Sequence, residues 1–287
     1  MTDFFQHLLR ISVLLFSVST MLSVGLGHTL RHVFDPMRDA RAVIRALTTN
    51  FLLVPLLAYG VAAVLLRDDS YRTGLMLVAT AAGAPFLIKL TATARGNVAL
   101  SASLTMLLLP ITVLYMPFVV PVVAPDAHAN PAAIGLPLLW TMIIPMAVGL
   151  AVRARLPGRA QRLHPLVARL STVALVVLLV STMGAHFRAI GSIVREGAIF
   201  APVCLILGAF VLGYAFGREY RGGHVVLGLG TAQRNIAAAT VVATQGLDDP
   251  KVVVMVVVTS LVDLAVLFPI AWGLRRRELR LERVAHA

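Results

Sequence analysis

Residues 81–96 read AAGAPFLIKLTATARG and residues 228–240 read GLGTAQRNIAAAT. Each is a polar island inside a long apolar stretch. Lys89 stands in the first and Arg234 in the second, with helix-disrupting Gly or Pro close to each: Gly83 and Pro85, then Gly228 and Gly230. A cation near the centre of a bilayer costs at least about 2.5–3.5 kcal/mol on insertion scales. A chain that accepts this cost twice points to a polar interior within a bundle of membrane helices, and such an interior usually handles a solute.

The surrounding composition agrees. The 287 residues are 59% hydrophobic and 13% charged, where a soluble domain carries about 25% charged residues. Apolar runs long enough to span lie at 8–28, 43–66, 73–94, 98–122, 134–152, 165–187, 197–216, 224–246 and 252–273. The fold class is therefore an all-α polytopic membrane protein with about nine transmembrane helices. Residues 1–274 read as one transmembrane domain and 275–287 as a basic cytoplasmic tail. The first run has no small-residue cleavage site, and Arg31 and Arg38 follow it, so it reads as a retained span rather than a signal peptide.

The net charge of +12 does not indicate a nucleic-acid partner. Its arginines collect in alternate loops, among them Arg38 and Arg41, Arg153 and Arg155, Arg218 and Arg221, and Arg275 to Arg277. The loops between are poorer in basic residues or balanced by acids, as at Arg67-Asp68-Asp69. This is the positive-inside pattern. With nine spans it sets the N-terminus outside and the C-terminus in the cytoplasm of a multi-pass protein of the cell membrane, whose standing partner is the lipid bilayer.

Gly83, Pro85 and Gly230 read as helix-break positions. A Gly-interrupted helix with polar residues at its break occurs once in each half of the chain, and paired interrupted helices mark the binding site of secondary transporters. A third deep charge, Asp263 in VVVTSLVDLAVLF (256–268), is the natural counter-ion of either cation. Asn50, Thr231 and Asn235 suit solute contacts or hydrogen bonds between helices. Lys89 also has a simpler reading: it snorkels to the interface that Arg95 marks, about 9 Å along a helix. For Arg234 the simpler reading is a structural salt bridge. Cys204, the single cysteine, reads as a small buried apolar residue. His28, His32 and His186 read as interfacial. No Walker loop, HExxH or G-x-S-x-G motif is present, so neither a primary pump nor an enzyme is indicated.

At these residues the chain resembles the bile acid:sodium symporter family. ARGNVALSASLT (94–105) is similar to the segment after that family's first broken helix, GTAQRNIAAA (230–239) to its second, and TTNFLLVP (48–55) to the helix that brings Asn50 and Pro55 to the core. The resemblance implies a core bundle and a panel, an inverted repeat with two discontinuous helices that cross, and one helix fewer at the start than bacterial members commonly have. It implies carriage of organic anions, coupled in the best-known members to two sodium ions. The family's sodium ligands include a Ser-Asn pair that aligns with Leu87 and Ile88 and a Glu that aligns with Leu229; Ser101, Thr105 and Gln233 match and remain as residual sodium-site positions.

The function expected is a secondary active transporter that moves a small organic anion by alternating access, with sodium coupling weakened or replaced by the built-in charges of Lys89 and Arg234. The site residues expected are Lys89, Arg234, Asp263, Gln233, Asn235, Thr231, Asn50, Ser101 and Thr105. No cofactor is called for, and sodium itself is doubtful. A sodium-coupled symporter with a rebuilt ion site, and a non-transporting membrane sensor on the same scaffold, stay open beside it.

Overall fold

The structure, a computed structural model, describes residues 2–29, 40–123, 130–195, 197–217, 223–247 and 249–285. Every regular element among the described residues is helical. In chain order they are α1 (Thr2–Gly27), α2 (Ala40–Leu65), α3 (Asp69–Thr80), α4 (Leu87–Thr93), α5 (Val98–Val123), α6 (Pro131–Arg155), α7 (Pro157–Arg195), α8 (Phe200–Phe216), α9 (Gly223–Ala232), α10 (Ile236–Val241, extended by a π-helical turn at Val242–Gly246) and α11 (Pro250–Ala285). Seven helical runs are long and apolar enough to cross a membrane, and Phe200–Phe216 is a shorter apolar helix. Length and composition alone therefore do not reach nine spans. The run expected at 73–94 is divided into α3 and α4, and the one at 197–216 is short.

Prolines shape two of the long helices. α2 and α6 each pass through a π-helical turn, Thr49–Leu53 and Leu139–Ile143, just ahead of Val54-Pro55 and Ile144-Pro145. A proline lacks the N–H an α-helix needs and crowds the carbonyl four residues back. The chain widens instead: the Val54 N–H bonds the Thr49 carbonyl, and the Ile144 N–H bonds that of Leu139. In α2 this wide turn carries Asn50 into the protein, where it is fully buried.

α1 packs along α7 and α6. At Gly25 and Gly149 the backbones of α1 and α6 touch, so a methyl group at either would land on the other helix's main chain. α8 packs on α9, and α3 on α11. Small residues set these close approaches, as they do where lipid supplies no hydrophobic drive between helices. The run Gly223–Gly246 is apolar enough to span, yet residues 225–243 within it are all buried in the protein. This is a central element, shielded from lipid by its neighbours.

Two expectations need correction. Gly230 is not at the second break: α9 continues through it to Ala232, and a Cβ there would meet Leu104 and Leu87 at 2.7 and 2.9 Å. Its absent side chain serves close packing. Cys204 is exposed on α8 rather than buried. α11 runs unbroken from the last span through the basic residues to Ala285. His32 and the side chain of His186 lie outside the described residues.

Candidate functional site

The first break follows from its glycine. After Thr80 the chain leaves the helix over 81–84 and turns at Pro85 and Phe86 before α4. Gly83 holds φ +76, and a Cβ on it would stand 2.6 Å from the Leu109 amide nitrogen of α5. The left-handed backbone costs an ordinary residue about 1–2 kcal/mol, and the packing forbids a side chain as well. Each backbone group that the break frees must find a partner away from water. The Thr112 hydroxyl accepts from the Ala82 N–H at 3.1 Å and donates to the Ala82 carbonyl at 3.0 Å. The Thr105 hydroxyl reaches the Ala84 carbonyl at 3.4 Å.

The remaining partners come from the second break, at Gln233–Asn235. The Asn235 N–H donates to the Ala81 carbonyl at 2.8 Å, and its side-chain amide donates to that of Gly83 at 3.4 Å. The Asn235 amide oxygen also caps α10 by accepting from the Ala238 N–H at 3.1 Å. The two interruptions are thus bonded to each other, although Gly83 and Asn235 are 152 positions apart in the sequence.

Arg234 lies at the centre of this junction and is 1% exposed. A guanidinium has five N–H donors, and all five are used. Nε donates to the Val78 carbonyl at 3.3 Å. One terminal nitrogen donates to the Asn50 amide oxygen at 2.9 Å and the Thr231 carbonyl at 3.0 Å. The other donates to the Ala79 carbonyl at 2.6 Å and the Asn50 carbonyl at 3.4 Å. Val78 and Ala79 are in the last turn of α3, and Thr231 is in the last turn of α9. The last four carbonyls of a helix lack partners within it and carry the negative end of its dipole. Arg234 therefore sits as a cation between two half-helix C-termini, and its side chain has no N–H left for a solute. Asn50 completes the frame, with its amide nitrogen donating to the Ala46 carbonyl at 3.0 Å and the Thr231 hydroxyl at 3.4 Å.

Lys89 differs from its reading as a deeply held charge. It is exposed on α4, and its ammonium lies 5.6 Å from the Phe86 ring centre with no hydrogen-bond acceptor among the described residues. Asp263 is 1% exposed, and neither carboxylate oxygen has a hydrogen-bond partner among the described residues. It forms no contact ion pair with Lys89 or Arg234. Gln233 is likewise 1% exposed with both amide atoms unpartnered.

The three positions that match sodium ligands differ in their bonding. The Ser101 hydroxyl bonds the Val98 carbonyl at 2.8 Å on its own helix, that of Thr105 bonds the Ser101 carbonyl at 2.9 Å as well as the Ala84 carbonyl of the break, and the Gln233 amide is unpartnered among the described residues. Leu87 and Leu229, where the family carries Ser and Glu, are 1% and 0% exposed, and Leu87 packs on Gly230. Hydrocarbon fills the space that hard oxygen ligands would need.

A cavity of about 620 Å³ opens between the breaks on one side and α1 and α7 on the other. Lys89, Gln233, Arg234 and Asn235 line the first wall, and Thr20, Ser23, His28, His164 and Ser171 line the second. The described residues that line it include two cations, Lys89 and Arg234, and no Asp or Glu. The structure brings together Asn50, Thr231, Gln233, Arg234, Asn235 and Asp263 at the junction and leaves Lys89 at the cavity wall. Thr112, Ser23 and His164 went unread in the sequence. Hydroxyls in apolar helices usually bond their own backbone, and nothing local distinguishes Thr112 from those.

The family model described as the Sodium Bile acid symporter family matches residues 13–193. Over 274 residues the chain is 26% identical to the probable sodium/metabolite cotransporter BASS1, chloroplastic, of Arabidopsis thaliana, covering 90% of this chain and 65% of that protein. Over 196 residues it is 24% identical to the probable sodium/metabolite cotransporter BASS2, chloroplastic, of Oryza sativa subsp. japonica, covering 68% of this chain and 46% of that protein. The chain thus spans less than two thirds of the length of either relative. The family match takes in Asn50 and the whole first break, and together with the apolar helices it makes this a multi-pass membrane protein of a transporter family: the chain belongs to the sodium bile acid symporter family.

Proposed function

We propose that the protein is a secondary transporter that carries a small organic anion across the cell membrane by alternating access, without a strict need for sodium. The observation that carries this reading is the Arg234 guanidinium, whose five donors meet five oxygens between the C-terminal ends of two half-helices. In secondary transporters such ends and unwound carbonyls coordinate the coupling cation. Here a covalently attached cation takes that position, while Leu87, Ile88 and Leu229 stand where the family's ligands would be. Lys89, at the wall of a cavity whose described lining includes no acid, supplies the charge that meets the solute.

In this reading α1, α6 and α7 form the panel, and the helices around the two breaks form the core that moves against it. The breaks belong to an inverted repeat, α3 with α4 and α9 with α10 each count as one span, and the nine spans leave the N-terminus outside and the tail in the cytoplasm. The cavity between panel and core supports this division. A thermal-stability screen of the purified protein across carboxylates, sulfonates and sterols, followed by counterflow of each stabilising solute in proteoliposomes, tests the reading. Lys89→Gln should reduce apparent affinity for the anion while leaving the fold intact. Solutes that stabilise the protein but never exchange across the bilayer would instead identify a sensor.

A further inference from the structure

The last span ends in a run of arginines, Arg275, Arg276 and Arg277, where the apolar stretch Pro250–Arg277 stops. A positive-inside bias accounts for the charges. It does not account for how two of them are held. The Arg276 guanidinium lies 3.6 Å from the centre of the Trp272 ring, one turn back on α11. Arg277 reaches across to α8, where its Nη1 donates to the Tyr214 hydroxyl at 3.0 Å. Tyr214 is itself set edge-on against the His224 ring of α9, with centres 5.0 Å apart. Stacking takes the flat face of Arg276 and leaves its N–H rim open, and the tyrosine takes one of the five donors of Arg277. Neither arginine is neutralised by a carboxylate: the ion pairs formed among the described residues lie elsewhere, at Arg72–Asp69 and Lys251–Asp68.

Three exposed residues, four positions apart, share one face of α11: Phe268 at 39% exposure, Trp272 at 51%, then Arg276. Four positions advance about 6 Å along a helix. The order along the axis is hydrocarbon, indole, cation. A phospholipid at a bilayer surface presents the complementary order of acyl chain, glycerol ester and phosphate, and tryptophan favours the middle zone. A guanidinium rim matches phosphate oxygens in pairs. At its apolar end the stripe adjoins the cavity, because Phe268 packs edge-on against Phe86 at 5.7 Å, and Phe86 is part of the cavity lining.

We propose that the ends of α8 and α11 form a binding site for one anionic phospholipid, with its phosphate on Arg276 and Arg277 and an acyl chain along Trp272 and Phe268. Charge complementarity selects the anionic lipid. Phosphatidylcholine offers the same phosphate with a cation beside it, and two unneutralised guanidiniums disfavour that cation. The site does not depend on which solute the protein carries.

The test uses the full chain in vesicles of phosphatidylcholine at low ionic strength. Trp140 and Trp272 are the two tryptophans, so Trp140→Phe makes Trp272 the sole reporter. Brominated phosphatidylglycerol is titrated in, then brominated phosphatidylcholine, and quenching gives the relative association constant at Trp272. At about 1 kcal/mol for each arginine, phosphatidylglycerol should be favoured by about 5- to 30-fold. Arg276→Gln with Arg277→Gln should erase the preference. Arg159→Gln, which removes an exposed charge from another helix, should leave it intact. Equal quenching by the two lipids overturns the assignment, as does a preference that survives the paired substitution or falls equally in Arg159→Gln. Should the paired variant fail to fold on size exclusion, the two single variants decide, and an undiminished preference in both overturns it. Displacement of the lipid by soluble glycerol phosphate at millimolar concentration identifies a site for free phosphate and overturns it too. So does an absence of quenching by either lipid in a protein that elutes as a dimer, since a second copy then covers the face.

Discussion

Arg234→Lys keeps the charge at the junction and removes the fork. An ammonium has three N–H donors where the guanidinium has five, so at least two of the five oxygens around Arg234 lose their partner. Each buried acceptor left unpaired costs about 1–3 kcal/mol, and the substitution should therefore destabilise the protein by about 2–6 kcal/mol. A typical domain has only about 5–15 kcal/mol in total. At roughly 2–4 °C per kcal/mol for a chain of this order of size, the melting temperature in detergent should fall by about 4 °C or more. Arg234→Ala removes all five bonds and the charge and should fall further. Low concentrations of guanidinium chloride should recover part of that loss in Arg234→Ala, while potassium chloride should not. The native protein, whose oxygens are already occupied, should gain nothing from either salt. Arg234→Lys melting within error of the native protein, or Arg234→Ala indifferent to guanidinium, would refute the five-oxygen cage as the account of this residue.

Two further predictions rest on other parts of the fold. Gly83→Ala should destabilise by at least the roughly 1–2 kcal/mol of a left-handed alanine, and by more because its Cβ would strike the α5 backbone near Leu109; a thermal melt equal to the native one would contradict that conformation. At the far edge of the bundle Asp68 caps α3 through the Ser70 N–H at 3.0 Å and pairs with Lys251 at 2.7 Å. Burial pulls the Asp68 carboxyl upward, but the Lys251 ammonium and the cap outweigh it and hold the group below its ordinary value. A depressed folded value means that its stabilisation is complete above the unfolded value of about 3.9 and fades as pH falls through the folded one. Asp68→Asn should thus narrow the difference from the native protein as the pH drops below about 4, and a difference in hydrogen exchange at α3 that is constant with pH would count against the pairing.

The sequence was most legible where chemistry and packing demand the same residue. Gly83 and Pro85 announced a break, and the break is there, because a left-handed glycine pressed on a neighbouring backbone admits no substitute. Gly230 carried the same signal and misled, because glycine also serves close helix approach. That distinction depends on Leu87 and Leu104, which are far away in sequence. Arg234 was visible as an anomaly, but the expectation of a salt bridge or a solute ligand missed that carbonyls would take every donor. Backbone acceptors at a helix end leave no mark in a sequence. Asp263 could be seen to be deep, though not that its carboxylate would form no contact ion pair with Lys89 or Arg234 among the described residues. The two π-helical turns follow from Pro55 and Pro145 only once the helices are known to continue through them.

The central claim, that a fixed guanidinium does the work of a coupling cation, is tested most directly by uptake of a stabilising organic anion into proteoliposomes with and without an inward sodium gradient. Uptake should be the same, or nearly so, when sodium is replaced by potassium. A steep, saturable requirement for sodium would contradict it.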